Sequence, residues 1–573
     1  MFVKRDTGKH MAAQPSAEDN HERVAEQTEG VALSGLLGAN PQTILANWQT
    51  FAGQVGKQPE LMFRLQLQYQ SELASIWLGQ ADPAESPDPI DPRFVDLAWR
   101  EDPYFSRLRR AYFAWTRTLD RWIEQAELEG IDRQRAAFLL EIAKEVYAPV
   151  NSPYTPETIK RAIETRGESL VRGIGNFLDD QANNHGYPAI ADRSAFQVGV
   201  DVAPTPGKVV YRDEMLEVIQ YITTTHRVYR QPLLYVFSQV NRFYLGDLTH
   251  DRSLFQQLLA KGIQVFAVSW RNPLPEHSQW SLASYAAGVI RAISVVRSIC
   301  RVKRVDLMGL CAGGLTAAAA AGVLQGRGKH WIKSLSLFVS ILDNQPGDSD
   351  FTLFVTDESV ASQKARVRAQ GMMKERDILE MFAMLRLDES VFSFVRSNYY
   401  RGEAPLAHPL LFWSMDYTRV PAEMQCDFID LAHRNAMARG ELDMLDQRIN
   451  LKSIDYPVYI MAGTTDHITP WRGCYRSAHL FGGPVEFVLT NQNHTQTISA
   501  KADNPHLRYW LRRGAPIEPD EWLQGASEHA GDWRAHWIKW LQSRSRRVDA
   551  PGKQGNKRFP AIDNAPGRYV LER

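Results

Sequence analysis

Cysteine is scarce in this 573-residue chain: Cys300, Cys311, Cys426 and Cys474 are all there are, and none stands at metal-ligand or redox-motif spacing. That excludes a disulfide framework and fits a reducing cytoplasm. A surplus of one charge is also missing. Lys plus Arg number 66 and Asp plus Glu 66, a formal net charge of zero, so nothing argues for nucleic acid or an anionic surface as partner. No run approaches the ~18 apolar residues of a membrane span. The first thirty residues are polar and charged, lack the apolar core of a secretory signal, and read as disordered, with Met11 a second candidate start. The expectation is a soluble protein with no transmembrane segment, although 44% hydrophobic residues and 15 Trp leave room for a sticky surface.

The chain is long enough for two or more units. After the polar residues 1–30, residues 31–202 read as a helical domain, with apolar residues at helical spacing over Pro41 to Trp77, Tyr104 to Leu128, Arg133 to Val146 and Pro156 to Gly173. The break Ala203-Pro204-Thr205-Pro206-Gly207 precedes strands that come to alternate with helices through residues 203–573, the pattern of an α/β sheet with crossover helices. One interval departs from that alternation. From about 345 to 455 the chain is helical and aromatic-rich, including Phe392-Ser393-Phe394 and Leu410-Leu411-Phe412-Trp413, and reads as a cap inserted over the site. Near the C-terminus Trp533, Trp537 and Trp540 share a helix face, which predicts packing onto the sheet.

The most informative segment is Gly309-Leu310-Cys311-Ala312-Gly313, which follows the strand-like Arg304 to Met308 and precedes an alanine-rich helical run, Leu315 to Leu324. Strand, sharp turn and helix are the context of a nucleophile elbow, here with cysteine in place of serine. Small residues on either side let strand and helix approach while the nucleophile takes strained dihedrals. The N–H of Ala312 then faces a developing oxyanion at the start of the helix.

In this architecture an acid and a histidine follow the nucleophile, each after a later strand. Val458 to Ala462 runs into Gly463-Thr464-Thr465-Asp466-His467, and Val485 to Leu489 opens into Thr490-Asn491-Gln492-Asn493-His494. Asp466 and His494 are thus the candidate acid and base. Asp343, after the strand Ser334 to Leu342, is the alternative acid, and His467 reads as a local or substrate-facing residue. A cysteine suits repeated acyl hand-over, because thiolate and thioester exchange at nearly balanced energy and a neighbouring imidazole helps form the thiolate.

Several stretches together resemble the polyhydroxyalkanoate synthases of the class I/II-like, single-subunit type. They are Val268-Ser269-Trp270-Arg271-Asn272-Pro273, the cysteine box through Gly314, Asn398-Tyr399-Tyr400, Asp466 to Trp471, and Ala565-Pro566-Gly567-Arg568-Tyr569-Val570. The 28-residue separation of Asp466 and His494 also matches. The resemblance runs from about residue 90 to the C-terminus. It implies an α/β-hydrolase fold with a helical cap insertion, preceded by a helical N-terminal domain. It also implies an acyltransferase that polymerises (R)-3-hydroxyacyl-CoA into polyester with release of CoA. Cys311 would carry the chain as a thioester, His494 would deprotonate it, and Asp466 would orient the histidine or help activate the incoming 3-hydroxyl.

The same resemblance aligns Val240 with the second oxyanion donor. The family has a Pro-Pro-x-Ile-Asn-Lys segment where this chain has Phe237-Ser238-Gln239-Val240-Asn241-Arg242, and loss of the prolines frees the loop's φ angles. Glycine usually precedes the base, and here Asn493, a residue tolerant of φ > 0, stands in its place. No metal and no cofactor beyond the CoA of the substrate is implied. The implied setting is cytoplasmic, at the polyester granule, with the N-terminal region serving association with the granule, its coat proteins or a second subunit in a homodimer. Motif details lean to medium-chain or mixed monomers. Two alternatives stay open: a thioesterase or esterase on the same triad, and a granule-associated protein that has lost activity, as the altered loops at Ser238 and Asn493 suggest.

Overall fold

A computed structural model describes residues 53, 56–80, 91–184, 186–345, 348, 355–373, 388–514 and 516–573. The polar segment 1–30 and the start of the helix expected from Pro41 lie outside these residues.

Short runs of Val, Leu, Ile and aromatics become the strands, and those at the centre of the large sheet are largely buried, as strands covered on both faces must be. In chain order the large sheet contains β1 (Gly207–Arg212), β2 (Leu216–Tyr221), β3 (Pro232–Val236), β4 (Gln264–Trp270), β5 (Val305–Leu310), β6 (Ile332–Phe338), β7 (Val458–Gly463), β8 (Val485–Thr490), β9 (Arg508–Leu511), β10 (Ser527–Ala530) and β11 (Asp563–Asn564). Their spatial order is β10-β9-β8-β7-β6-β5-β3-β4-β2-β1-β11. The six strands from β8 across to β4 are parallel, and the flanking pairs are antiparallel. The strand order reverses between β3 and β4, so β3 and β5 lie side by side and the loops after them meet. Ligands bind at such a reversal beyond the carboxyl ends of parallel strands.

Helices cover both faces. The crossover Leu282–Cys300 is long and apolar enough by composition to cross a membrane, which the reading of apolar runs did not anticipate. Here it joins β4 to β5 and buries Leu282, Val289, Ile293 and Val296 in the main core. Its start is set by Ser281, whose hydroxyl accepts the Ser284 N–H. Trp533, Trp537 and Trp540 are all buried. Two of these rings pack edge-on against Phe338 of β6, at 4.9 and 4.8 Å, and Trp537 Nε1 donates to Ser336 Oγ at 2.9 Å.

Among the described residues the N-terminal region is mainly helical up to Asn183, with helices Pro59–Leu78, Pro103–Gln125 and Gly130–Val146 near the expected spans. The run Pro156 to Gly173, expected as one helix, is two. Pro156–Glu164 stops at Arg166 and Gly167, which take φ of 52° and 86°, and Glu168–Asn183 starts anew. The second helix docks on the insertion through the Asn398-Tyr399-Tyr400 motif. Tyr399 Oη donates to Asp180 at 3.0 Å, Asn176 donates to the Asn398 carbonyl at 2.9 Å, and Asn398 donates to the Ala189 carbonyl at 2.7 Å. That motif is therefore a joint between the helical region and the insertion.

Candidate active site

Cys311 directly follows β5 and caps the helix Ala312–Gly326. Its φ of 56° and ψ of −129° are a conformation that costs a non-glycine residue about 1–3 kcal/mol. The surroundings hold it there. Its N–H donates to the Phe338 carbonyl at 3.0 Å, and its own carbonyl accepts from Gly314 N–H at 2.9 Å and Ser340 Oγ at 3.0 Å. The flanking glycines are required by contact. A Cβ on Gly309 would lie 2.6 Å from the Gly314 Cα, and one on Gly313 would lie 2.5 Å from the Val236 carbonyl oxygen and the Phe237 carbonyl carbon. Cys311 thus sits beside the end of β3, at a helix start whose first N–H groups have no partner within the helix.

Asp466 and His494 come from the loops after β7 and β8, neighbouring parallel strands. His494 Nδ1 lies 2.7 Å from Asp466 Oδ2, with both side chains fully buried. The carboxylate is oriented by its own loop. Oδ1 accepts the N–H groups of Ile468 and Thr469 at 2.9 and 2.8 Å, and Oδ2 also accepts the Thr469 hydroxyl at 2.6 Å. Burial pushes this carboxyl up. The charge and hydrogen bond of His494 and the two donors of Thr469 outweigh it and hold it below the usual carboxylate range. An ionised Asp466 accepting from Nδ1 makes Nε2 the nitrogen that takes a proton. Thr469, whose Oγ1 is also 3.1 Å from His494 Nδ1, is a residue the sequence reading did not single out. The signal was available: an aspartate followed three residues on by threonine is the pattern of a side chain that hydrogen-bonds its own loop.

Of the alternatives, Asp343 is turned to the insertion, where its Oδ1 accepts from Asn435 Nδ2 at 2.7 Å. His467 is half-buried, and the histidine on Asp466 is His494. Asn493 keeps a negative φ, so the left-handed turn allowed for at that position does not form. Its Oδ1 instead accepts the Gln496 N–H at 2.9 Å and caps the turn after His494.

The loop after β3 lacks the two prolines but is held by hydrogen bonds. Trp270 Nε1 donates to the Phe237 carbonyl at 3.0 Å and Gln239 Nε2 to Thr316 Oγ1 at 2.7 Å. From the insertion, Thr418 donates its hydroxyl to the Gln239 carbonyl at 2.6 Å and its N–H to the Val240 carbonyl at 2.8 Å. The freedom expected from loss of the prolines is thereby removed. The Val240 N–H donates to Ser238 Oγ at 3.2 Å. Above the loop, the Trp413 ring lies 5.9 Å from Phe237, and Cys311 is only 2% exposed. Among the described residues no group of three or more His, Cys, Asp and Glu is placed to hold a metal ion.

Family models match two overlapping parts of the chain: the N-terminus of poly-beta-hydroxybutyrate polymerase over residues 90–258, and the alpha/beta hydrolase fold over 245–495. The poly(3-hydroxyalkanoate) polymerase 1 of Ectopseudomonas oleovorans is 35% identical over 561 residues, 97% of this chain and 100% of the relative. The chain belongs to the poly(3-hydroxyalkanoate) polymerase family. A second member, the polymerase subunit PhaC of Cupriavidus necator, is 32% identical over 96% of this chain and 93% of its own. Membership makes the chain an enzyme, an acyltransferase of polyhydroxyalkanoate biosynthesis. Among solved structures, a monoacylglycerol lipase of Paleococcus ferrophilus aligns with 58% of this chain and 99% of its own at 16% identity and a TM-score of 0.33. The chain has the α/β-hydrolase fold expected for the family, with Cys311, Asp466 and His494 at three of its strand ends.

Proposed function

We propose that this enzyme polymerises (R)-3-hydroxyacyl-CoA through an acyl thioester on Cys311. The observation that carries the reading is the left-handed Cys311 between β5 and its helix, a strained elbow whose one evident use is to present a nucleophile. His494 Nε2 takes the thiol proton. The thiolate adds to the substrate carbonyl, whose oxygen carries the electron pair in the tetrahedral intermediate. Collapse breaks the bond to CoA sulfur, and the imidazolium returns its proton to the departing CoA thiolate. The 3-hydroxyl of a second hydroxyacyl-CoA then gives its proton to His494 and adds to the Cys311 thioester. An ester bond forms and Cys311 sulfur leaves, protonated by His494. The extended acyl-CoA can acylate Cys311 again.

Ala312 and Val240 N–H groups are the oxyanion donors in this scheme. Because Val240 donates to Ser238 in the closed site, that bond exchanges for the oxyanion when substrate is bound. The near-complete burial of Cys311 supports a cycle in which cover over the site moves to admit acyl-CoA and then excludes water. No bound metal or cofactor is needed, and the work takes place at the polyester granule in the cytoplasm. The reading is tested by CoA release from (R)-3-hydroxybutyryl-CoA and (R)-3-hydroxydecanoyl-CoA, with Cys311→Ala as control and the product analysed. Polyester formed only when Cys311 is present supports it. Free hydroxy acid as the sole product would make the enzyme a thioesterase.

A further inference from the structure

Arg242 follows the loop that carries Val240, yet its side chain is turned inward and only 2% exposed. Each of its three nitrogens is engaged. Nε donates to Asp416 Oδ1 at 3.3 Å, Nη1 to the Tyr569 carbonyl at 3.0 Å, and Nη2 to the Glu572 carbonyl. Its own carbonyl accepts from Trp413 Nε1 at 2.8 Å. Asp416 is shared: its second oxygen accepts from Tyr244 Oη at 2.8 Å, and Arg573 also pairs with it. Asn241 bridges to Tyr417, next to Asp416. The tail is anchored in turn by Glu217, a buried carboxylate of β2 that accepts the N–H groups of Arg568 and Tyr569, each at 3.0 Å. Three segments remote in sequence therefore converge on one guanidinium: the β3 loop, residues 413–418 of the insertion, and the last five residues of the chain.

We propose that Arg242 is a positioning residue for acyl transfer, tying the Ser238–Asn241 loop to the insertion and the C-terminal tail so that the Val240 N–H stands where the oxyanion forms. The inference rests on the proposed thioester chemistry of Cys311. Its physical basis is the geometry of the fork. Two of its contacts are main-chain carbonyls at different places in the tail, and only a planar group with several fixed donors reaches both while also pairing Asp416. Lysine keeps the charge but has no fork, and methionine keeps length without donors. Loss of the grip lets the loop move by the fraction of an ångström that separates an aimed N–H from an idle one, and oxyanion donors act only when aimed.

The test compares two reactions of the same thiol. Acylation by (R)-3-hydroxyacyl-CoA, read as a single-turnover burst of CoA, passes through an oxyanion. Alkylation of Cys311 by iodoacetamide forms a carbon–sulfur bond at a saturated carbon, expels iodide and develops no oxyanion. For Arg242→Met the burst rate is expected to fall about 100-fold, the loss typical of one oxyanion donor, with alkylation within about threefold of wild type. Arg242→Lys is expected to recover part of the burst rate. Deletion of residues 569–573, which removes both carbonyl acceptors, is expected to give the same split. An unchanged burst rate in Arg242→Met, or equal losses of acylation and alkylation, overturns the proposal. If Arg242→Met does not fold, Arg242→Lys decides by the same criterion. Wild type that alkylates at Cys311 but never releases CoA overturns the thioester reading itself.

Discussion

Replacing Asp466 by asparagine changes one oxygen to an NH2 group, and the structure dictates where that group goes. Two main-chain donors, the N–H groups of Ile468 and Thr469, face the Oδ1 position at 2.9 and 2.8 Å. The amide oxygen must stay there, so the NH2 takes the Oδ2 position, 2.7 Å from His494 Nδ1. It then donates to Nδ1, the ring proton moves to Nε2, and the imidazole can no longer accept the thiol proton. The opposite amide orientation restores the productive tautomer but leaves two buried N–H groups unsatisfied, at about 1–3 kcal/mol each. A total of about 2–6 kcal/mol, at about 1.4 kcal/mol per tenfold, corresponds to a loss of about 30-fold to 10⁴-fold in the working base. Single-turnover CoA release at pH 7 should fall within that range in Asp466→Asn. The residual rate should climb as pH rises toward 9, because a free thiol, with an ordinary pKa of about 8.5, then ionises without help. The assay is the burst rate against pH beside wild type. A variant that keeps more than a tenth of the wild-type rate at pH 7, or whose loss is flat in pH, refutes the assignment of Asp466 as the residue that sets the His494 tautomer.

Other consequences follow from the same contacts. Gly313→Ala drives a Cβ to 2.5 Å from main-chain atoms of Val236 and Phe237, which cannot yield as a side chain could; a destabilisation of about 3 kcal/mol or more is expected, read as a lowered urea midpoint. Burial pushes the Cys474 thiol far above its usual range, so brief iodoacetamide treatment at pH 7 should label Cys311 and leave Cys474 unmodified in peptide maps. Asp306, buried in β5 with Ser334 Oγ as its donor, is pushed up to about 6 by burial from an ordinary 3.8. Between those values the folded chain holds a proton that the unfolded chain has lost. This residue's contribution to stability should therefore fall by about 3 kcal/mol as pH rises from about 4 to 6, and Asp306→Asn should remove that part of the slope in denaturant unfolding against pH.

What could be read from the sequence was what depends on neighbours along the chain. The elbow around Cys311 needs only small residues at fixed offsets between a strand and a helix. Asp466 and His494 each follow an apolar run whose burial in a parallel sheet leaves little choice of direction. The tryptophans of the last helix share a face by spacing alone. What could not be read depends on residues far apart. The loss of two prolines before Gln239 suggested a loose loop, but its restraint comes from Thr418, about 180 positions later, and from Tyr569 and Glu572, more than 320 later. The tolerance of Asn493 for φ > 0 pointed to a left-handed turn, whereas its side chain has a nearer use as a cap. The division of the 156–173 helix rests on Arg166 taking a conformation that its residue type disfavours, so only the glycine beside it gave a hint.

The most direct test of the account is to trap the acyl-enzyme. The enzyme is mixed with (R)-3-hydroxyacyl-CoA, quenched in acid within the first turnovers, and measured by intact mass and peptide mapping. The account predicts a mass increase of one or more hydroxyacyl units on the peptide containing Cys311, lost on treatment with hydroxylamine and absent in Cys311→Ala. Turnover to polyester with no adduct at Cys311, or with the adduct on another residue, would contradict it.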